Sequence, residues 1–162
     1  VVDDQSEDDT YDLLESVTDP RFVRMRLGVY KRTTIKGSKK KAIAYGVNHA
    51  KGSLIFATDA DCIATPDWIQ SMIPYFNDPK VKLVSGPVKI SNKSSLIARL
   101  QALDFSANGL VNAAGIQSGL HYLCNAANLA YRKQVFLEQN VYEDNYHIAS
   151  GDDIFLLEKI KS

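Results

Sequence analysis

Residues 54–69 read LIFATDADCIATPDWI. Leu54, Ile55, Phe56 and Ala57 form an apolar run without polar alternation, the pattern of a parallel strand covered on both faces. The run leads directly into Asp59 and Asp61, with Asp67 following. Carboxylates this close repel one another and lose hydration, so they need hydrogen-bond donors or a cation to hold them. Oxygen donors suit Mg²⁺ or Mn²⁺, and Mg²⁺ sites commonly use one or two carboxylates with substrate phosphates completing the shell. Thr65 is placed to cap a helix with Pro66 at its first position and Asp67 in its first turn.

Upstream, residues 1–3 read as a strand, and Ser6 with Asp9 matches a capping box over a helix from about 7 to 17, ended by Asp19-Pro20. Residues 22–27 give a second strand, and the basic stretch KRTTIKGSKKK precedes a helix on KAIAYGVNHA that stops at Gly52. Downstream, VKLVSGPVKI is a strand region bent near Gly86-Pro87. Residues 94–113 are mostly helical, with Leu96, Leu100, Leu103 and Ala107 on one apolar stripe and Leu110 nearby. HYLCNAANLAYRK is a short apolar passage interrupted by Asn125 and Asn128, ahead of a helix on about 132–139 and a final one after Asp152-Asp153. Strands alternating with helices predict an α/β fold with a mostly parallel central sheet flanked by helices.

The 162 residues suit one domain with a real core. Nineteen basic against nineteen acidic side chains give no global case for a nucleic-acid partner. Cys62 and Cys124 are too few for a disulfide scaffold and lack zinc-site spacing, so both read as reduced apolar fillers. His49, His121 and His147 have no metal-ligand spacing, although His147 lies near Asp153 in sequence. The chain shows neither a signal peptide nor a run of about 18 apolar residues. It has no initiator Met and opens on Val1-Val2, which reads as a strand already in progress, an edge that invites self-association.

In a parallel sheet, ligands bind beyond the carboxyl ends of the strands. Asp3-Asp4 and Asp59–Asp61 end two such strands and are expected on one rim. No GxxxxGK[ST] loop occurs, so phosphates must come from a ligand. The lysines of IKGSKKKAI form either a solvated basic patch or the counter-charge of a diphosphate. In SGDDIFLLEKI, Asp152 and Asp153 either cap the helix they precede or supply a general base.

Four segments, in order, resemble the motifs of the family 2 glycosyltransferases, which share the GT-A nucleotide-diphospho-sugar fold. VVDDQSEDDT is similar to the family opening VVDDGSxDxT, and KKKAIAYGVNHAKGSLIFATDADC resembles its basic helix followed by a strand and DxD motif. CNAANLAYRKQVF is similar to the acceptor-side GxNxAxRR segment, and SGDDIFLL to the [ED]D catalytic motif. The resemblance implies that residues 1–162 are a single GT-A-like catalytic domain, truncated upstream and downstream. It implies that Asp4 reads the base of a uridine-type nucleotide, Asp59 lies near ribose or metal, Asp61 is the metal ligand, and Lys39 is the basic residue of the donor site. Asp153 then occupies the position of the catalytic base, with Asp152 in place of the commoner Glu. The implied partners are Mg²⁺ or Mn²⁺, a nucleotide-sugar donor and a saccharide or lipid-linked acceptor, with transfer by inversion at the cytoplasmic face of a membrane. Ala126 stands where many relatives have Gly, and both the opening strand VSVIIPxxNE and the QxxRW segment of processive synthases are missing.

Rival readings remain at this level. A nucleotidyltransferase accommodates Asp59 and Asp61 but leaves SGDD and CNAANLAYR unexplained. A catalytically silent sugar-nucleotide-binding or interaction module keeps the pocket without turnover. A phosphoacceptor receiver domain needs a lone acceptor Asp after its third strand, which DADC with a second acidic pair serves badly.

Overall fold

The computed structural model describes residues 1–27, 39–91, 94–120, 123–142, 148 and 151–161. The architecture is α/β, and the chain divides into two compact units, Val1–Gly52 with Tyr142–Asp152 and Ser53–Val141 with Asp153–Ser162.

In the first unit, β1 (Val2–Asp3) and β2 (Met25–Arg26) pair in parallel, Val2 opposite Met25 and Asp3 opposite Arg26. The second strand is shorter than the expected 22–27. Helix α1 (Thr10–Glu15) begins three residues later than the expected start at residue 7, and the capping box does not form. The reason is local competition for Ser6. Its N–H donates to Asp3 Oδ1 at 3.2 Å and its carbonyl accepts from Arg26 Nη2 at 3.3 Å, which commits Ser6 to the loop after β1. Asp8 instead accepts the Thr10 N–H at 3.0 Å, and the Thr10 side chain and N–H hold the Asp8 carboxyl below its ordinary range. Gln5, in the same loop, has φ 63°, a left-handed conformation that a Cβ disfavours. Helix α2 (Lys39–His49) follows, with Lys40 and Val47 buried.

In the second unit, β3 (Leu54–Ala57), β4 (Leu83–Ser85) and β5 (Leu129–Arg132) form a sheet in the order β3-β5-β4. Both ladders are antiparallel, with Phe56 and Val84 each opposite Ala130. This corrects the expectation of a parallel partner for residues 54–57. An unbroken apolar run reports that both faces are covered; it carries no information on strand direction, which β5 supplies from more than seventy residues away. Because β3 and β4 flank β5, they run in the same direction as each other.

The side chains of β5 alternate across the sheet. Ala130 faces a core of Met72 and Phe76, with Leu54, Phe56, Trp68, Val81 and Val84 packed against it. Tyr131, on the opposite face, stacks on Phe136 of α5 (Lys133–Glu138) at 5.7 Å between ring centroids. Arg132 then closes the strand by donating to the carbonyls of Val81 at 2.8 Å and Phe76 at 2.8 Å. Helix α3 (Trp68–Met72) starts two residues after the expected Pro66, because the N–H of Trp68 donates to the Thr65 carbonyl at 3.0 Å and residues 66–67 form a turn.

Helix α4 (Leu96–Ser118) is well delimited. Ser95 Oγ accepts the Ala98 N–H at 3.1 Å, and Gly119, at φ 70°, ends the helix with the Leu120 N–H bonded to the Gly115 carbonyl. Its apolar stripe is not buried: Leu96, Leu100, Leu103 and Leu110 are 74, 57, 67 and 73 % exposed, and Ala102 is the buried residue. Apolar residues at Ile97 and Val111 widen the apolar surface beyond one stripe, so periodicity alone did not select the packed face. Helix α6 (Asp152–Lys161) closes the order, with Leu156 and Leu157 buried.

Gly86, where β4 ends, is required by a close approach. A Cβ there would sit 2.7 Å from Asn128 Cγ and 2.8 Å from its Oδ1. Asn128 uses that space to accept the Trp68 indole N–H at 2.8 Å and to donate to the Pro87 carbonyl at 2.9 Å. Gly86→Ala is therefore expected to lower unfolding stability in urea by about 2 kcal/mol or more. In an Asn128→Ala background the same change should cost less than about 1 kcal/mol, and an equal cost in both backgrounds would refute the clash. Gln5→Gly is expected to raise stability by about 1 kcal/mol, or about 2–4 °C in thermal midpoint; an unchanged or lowered midpoint would show that the left-handed loop carries no strain.

Candidate active site

The loop after β1 carries the first acidic pair. Asp3 is buried and belongs to the scaffold: its Oδ1 takes the Ser6 N–H, and its Oδ2 lies 3.1 Å from Arg26 Nε as an ion pair. Asp4 is different. Its Oδ1 is buried and has no hydrogen-bond partner among the described residues. A carboxylate oxygen cut off from water without a donor is costly, so this atom is suited to an N–H or O–H brought by a ligand.

At the start of α2, the expected solvated patch or phosphate counter-charge resolves into three different lysines. Lys39 is about half exposed, and its Nζ lies 3.3 Å from Asp152 Oδ2. Lys40 is wholly buried, and its Nζ donates to the Ile148 carbonyl at 2.9 Å. Burial lowers its pKa, while the charge of Asp152 acts in the opposite sense. Lys41 is half-buried. Sequence reasoning missed the role of Lys40, although the signal was present: residues 40, 43, 44 and 47 share one face of a helix, and the others are apolar. Residues 31–38 of the basic stretch lie outside the described residues, as do His121 and His147. His49 is a surface residue, with Nδ1 2.8 Å from the Tyr45 carbonyl.

The second acidic group sits in a tight turn after β3. The Cys62 N–H donates to the Asp59 carbonyl at 3.1 Å, closing the turn that contains Asp61. Asp59 is half-buried and Asp61 exposed. The nearby Cys62 and buried Cys124 are both outside any disulfide. Among the described residues, no group of three or more His, Cys, Asp or Glu side chains is gathered as a metal centre. Two carboxylates one residue apart, the second open to solvent, nonetheless fit a hard divalent cation that takes its remaining oxygens from phosphate and water.

The third group opens α6. Asp152 is its first residue, and its carboxylate is committed to Lys39 rather than to a cap. The Tyr142 hydroxyl donates to the Asp152 carbonyl at 3.2 Å. Asp153 Oδ1 accepts the Ile154 N–H at 2.9 Å, and its carbonyl lies 3.5 Å from Cys124 Sγ. Cys124 also lines a cavity of about 500 Å³ within the second unit, together with Gly86, Phe105, Asn112, Ile116 and Asn125. Sequence reasoning singled out the stripe of Leu96, Leu100, Leu103 and Ala107 and missed this cavity-facing side, although Phe105, Asn112 and Ile116 recur at helical spacing.

Thus Asp4, Lys39 and Asp152 belong to the first unit, and Asp59, Asp61 and Asp153 to the second. Of the residues selected from the sequence, the structure brings Lys39 and Asp152 into direct contact. Among the described residues, no helix is long and apolar enough to cross a membrane.

The family described as glycosyl transferase family 2 matches residues 1–146, which takes in Asp3-Asp4 and Asp59–Asp61 and ends before Asp152. The poly-beta-1,6-N-acetyl-D-glucosamine synthase of Staphylococcus aureus (strain COL) is 28 % identical over 109 residues, covering 66 % of this chain and 25 % of the relative. The hyaluronan synthase of Streptococcus pyogenes is 24 % identical over 140 residues, covering 85 % of this chain and 33 % of the relative. The chain therefore spans between a quarter and a third of the length of these curated relatives. With the family matched over most of its length and an α/β architecture to carry it, the chain belongs to glycosyl transferase family 2 and has the GT-A fold.

Proposed function

We propose that this chain binds a uridine-diphosphate sugar and transfers the sugar, with inversion, to an acceptor hydroxyl on a saccharide or lipid-linked saccharide. The observation that carries the reading is the buried Oδ1 of Asp4, which has no hydrogen-bond partner among the described residues and follows β1 directly. The imide N–H of uracil is such a donor. Cytosine presents an unprotonated ring nitrogen at the corresponding atom, so the same carboxylate discriminates against it.

Asp59 and Asp61 are the residues that would hold Mg²⁺ or Mn²⁺. Bound there, the ion supplies charge neutralisation for the diphosphate. Lys39 adds a mobile cation on the donor side. Asp153 is the general base. The acceptor oxygen attacks the anomeric carbon, the bond from that carbon to the diphosphate breaks with its electron pair leaving on UDP, and the acceptor proton passes to Asp153. The relatives' names, both synthases, support sugar transfer in general; the choice of sugar rests with contacts that neither name specifies.

The test is calorimetry of UDP, CDP and GDP with and without Mn²⁺, followed by transfer assays in the full-length protein. UDP is expected to bind best, and Asp61→Ala to abolish the Mn²⁺-dependent part of its affinity without loss of fold. Unchanged metal dependence in a folded variant would remove Asp61 from the metal site. Asp153→Asn should retain UDP binding and melting midpoint but slow single-turnover transfer by roughly 10² to 10⁴-fold. Near-normal transfer would return Asp153 to a structural role, and UDP binding without transfer in the wild type would favour a silent binding module.

A further inference from the structure

Three lysines, Lys39, Lys40 and Lys41, open α2, and its first turn contains no acidic residue. Cations at a helix N-terminus oppose the positive end of its dipole, so this end of the helix demands negative charge. Asp152 meets part of the demand, with its Oδ2 3.3 Å from Lys39 Nζ. The two neighbouring lysines are not equivalent. Lys40 is wholly buried and tied to the Ile148 carbonyl, which makes it an anchor between α2 and Ile148. Lys39 has a side chain 51 % exposed, while that of Asp152 is only 13 % exposed. The lysine is therefore the partner with room to swing, on a flexible four-carbon stem.

We infer that Lys39 is a shared cation, paired with Asp152 when no donor is bound and turned to the diphosphate when the donor arrives, so that donor binding releases the first carboxylate of the Asp152-Asp153 pair. The inference rests on the donor reading above. A diphosphate carries more negative charge than one carboxylate and offers several oxygens, so it competes effectively for an exposed lysine. Lys40 keeps its bond to the Ile148 carbonyl throughout. Lys39 and Asp152 act here as positioning residues. In the donor-free protein their charges are mutually satisfied, and the carboxylate pair becomes fully available only once the sugar donor is present.

A double-mutant cycle tests the exchange by titrating UDP, at saturating Mn²⁺, into the full-length wild type, Asp152→Asn, Lys39→Met and the double variant. Asp152→Asn is expected to tighten UDP binding about two- to fivefold, the range set by a partly exposed ion pair, because Lys39 no longer has to be taken from its partner. Lys39→Met should weaken UDP, and in that background Asp152→Asn should have no further effect. Asp152→Glu, which keeps the charge, should stay within about twofold of wild type. Tightening of equal size in both lysine backgrounds would mean that Asp152 acts only as a nearby negative charge, and absence of tightening would mean that the ion pair does not compete; either result overturns the exchange. Failure of the wild type to bind UDP would instead overturn the donor reading, and the exchange with it, before any variant is compared.

Discussion

The second unit depends on one close approach, the side chain of Asn128 seated over the backbone of Gly86. Because Gly86 has no Cβ, the amide reaches the Pro87 carbonyl and accepts the Trp68 indole N–H, while the Asn128 carbonyl takes the Gly86 N–H at 2.9 Å. Those bonds fix α3 and the end of β4 against the residue that immediately precedes β5. With β5 so placed, Ala130 enters the ladder between Phe56 and Val84 with no solvent exposure, and Arg132 can close over the carbonyls of Phe76 and Val81. The family-like segment CNAANLAYR is therefore in large part a sheet-building device. Asn128, Tyr131 and Arg132 are spent on packing, and Cys124 and Asn125 remain at the cavity.

The first unit has a corresponding constraint in Lys40. A buried ammonium group needs hydrogen-bond acceptors, and here a carbonyl 108 residues away takes one of its N–H donors, with the Asp152 charge close enough to favour the protonated form. The same arrangement brings Lys39 to Asp152. Lys39, expected from the sequence on the donor side, thus touches Asp152, the first of the two carboxylates that open α6.

The acidic residues that end β1 show how unevenly the scaffold meets the needs of adjacent polar groups. Asp3 and Asp4 are adjacent but differ in their contacts: Asp3 accepts the Ser6 N–H on Oδ1 and has Oδ2, which takes no hydrogen bond, in an ion pair with Arg26, whereas Asp4 keeps a buried oxygen without a donor among the described residues. Gln5 follows at φ 63° where the resembling family pattern has Gly, so the loop geometry is kept at a conformational cost.

Much of this was legible in the chain alone. The alternation of strands and helices, the acidic ends of β1 and β3, the start of α2 after its basic stretch and the start of α6 at Asp152-Asp153 are all local signals, set by periodicity and turn chemistry within about ten residues. Two helices start later than their capping patterns indicate, after the loop in which the Ser6 N–H bonds to Asp3 and after the turn closed by the Trp68 N–H on the Thr65 carbonyl, since a capping pattern gives the opportunity for a bond without saying what else its residues bond to. The antiparallel direction of β5, the exposure of the α4 stripe, the burial of Lys40 and the pairing of Lys39 with Asp152 were decided by tertiary structure. Each depends on which distant segment arrives at a surface, and side-chain spacing along one element does not encode its partner. Sequence by itself determined the elements and the kinds of chemical groups at their ends; folding decided which of those groups are satisfied and which are left to meet a ligand, because satisfaction is a property of contacts between residues far apart in the chain.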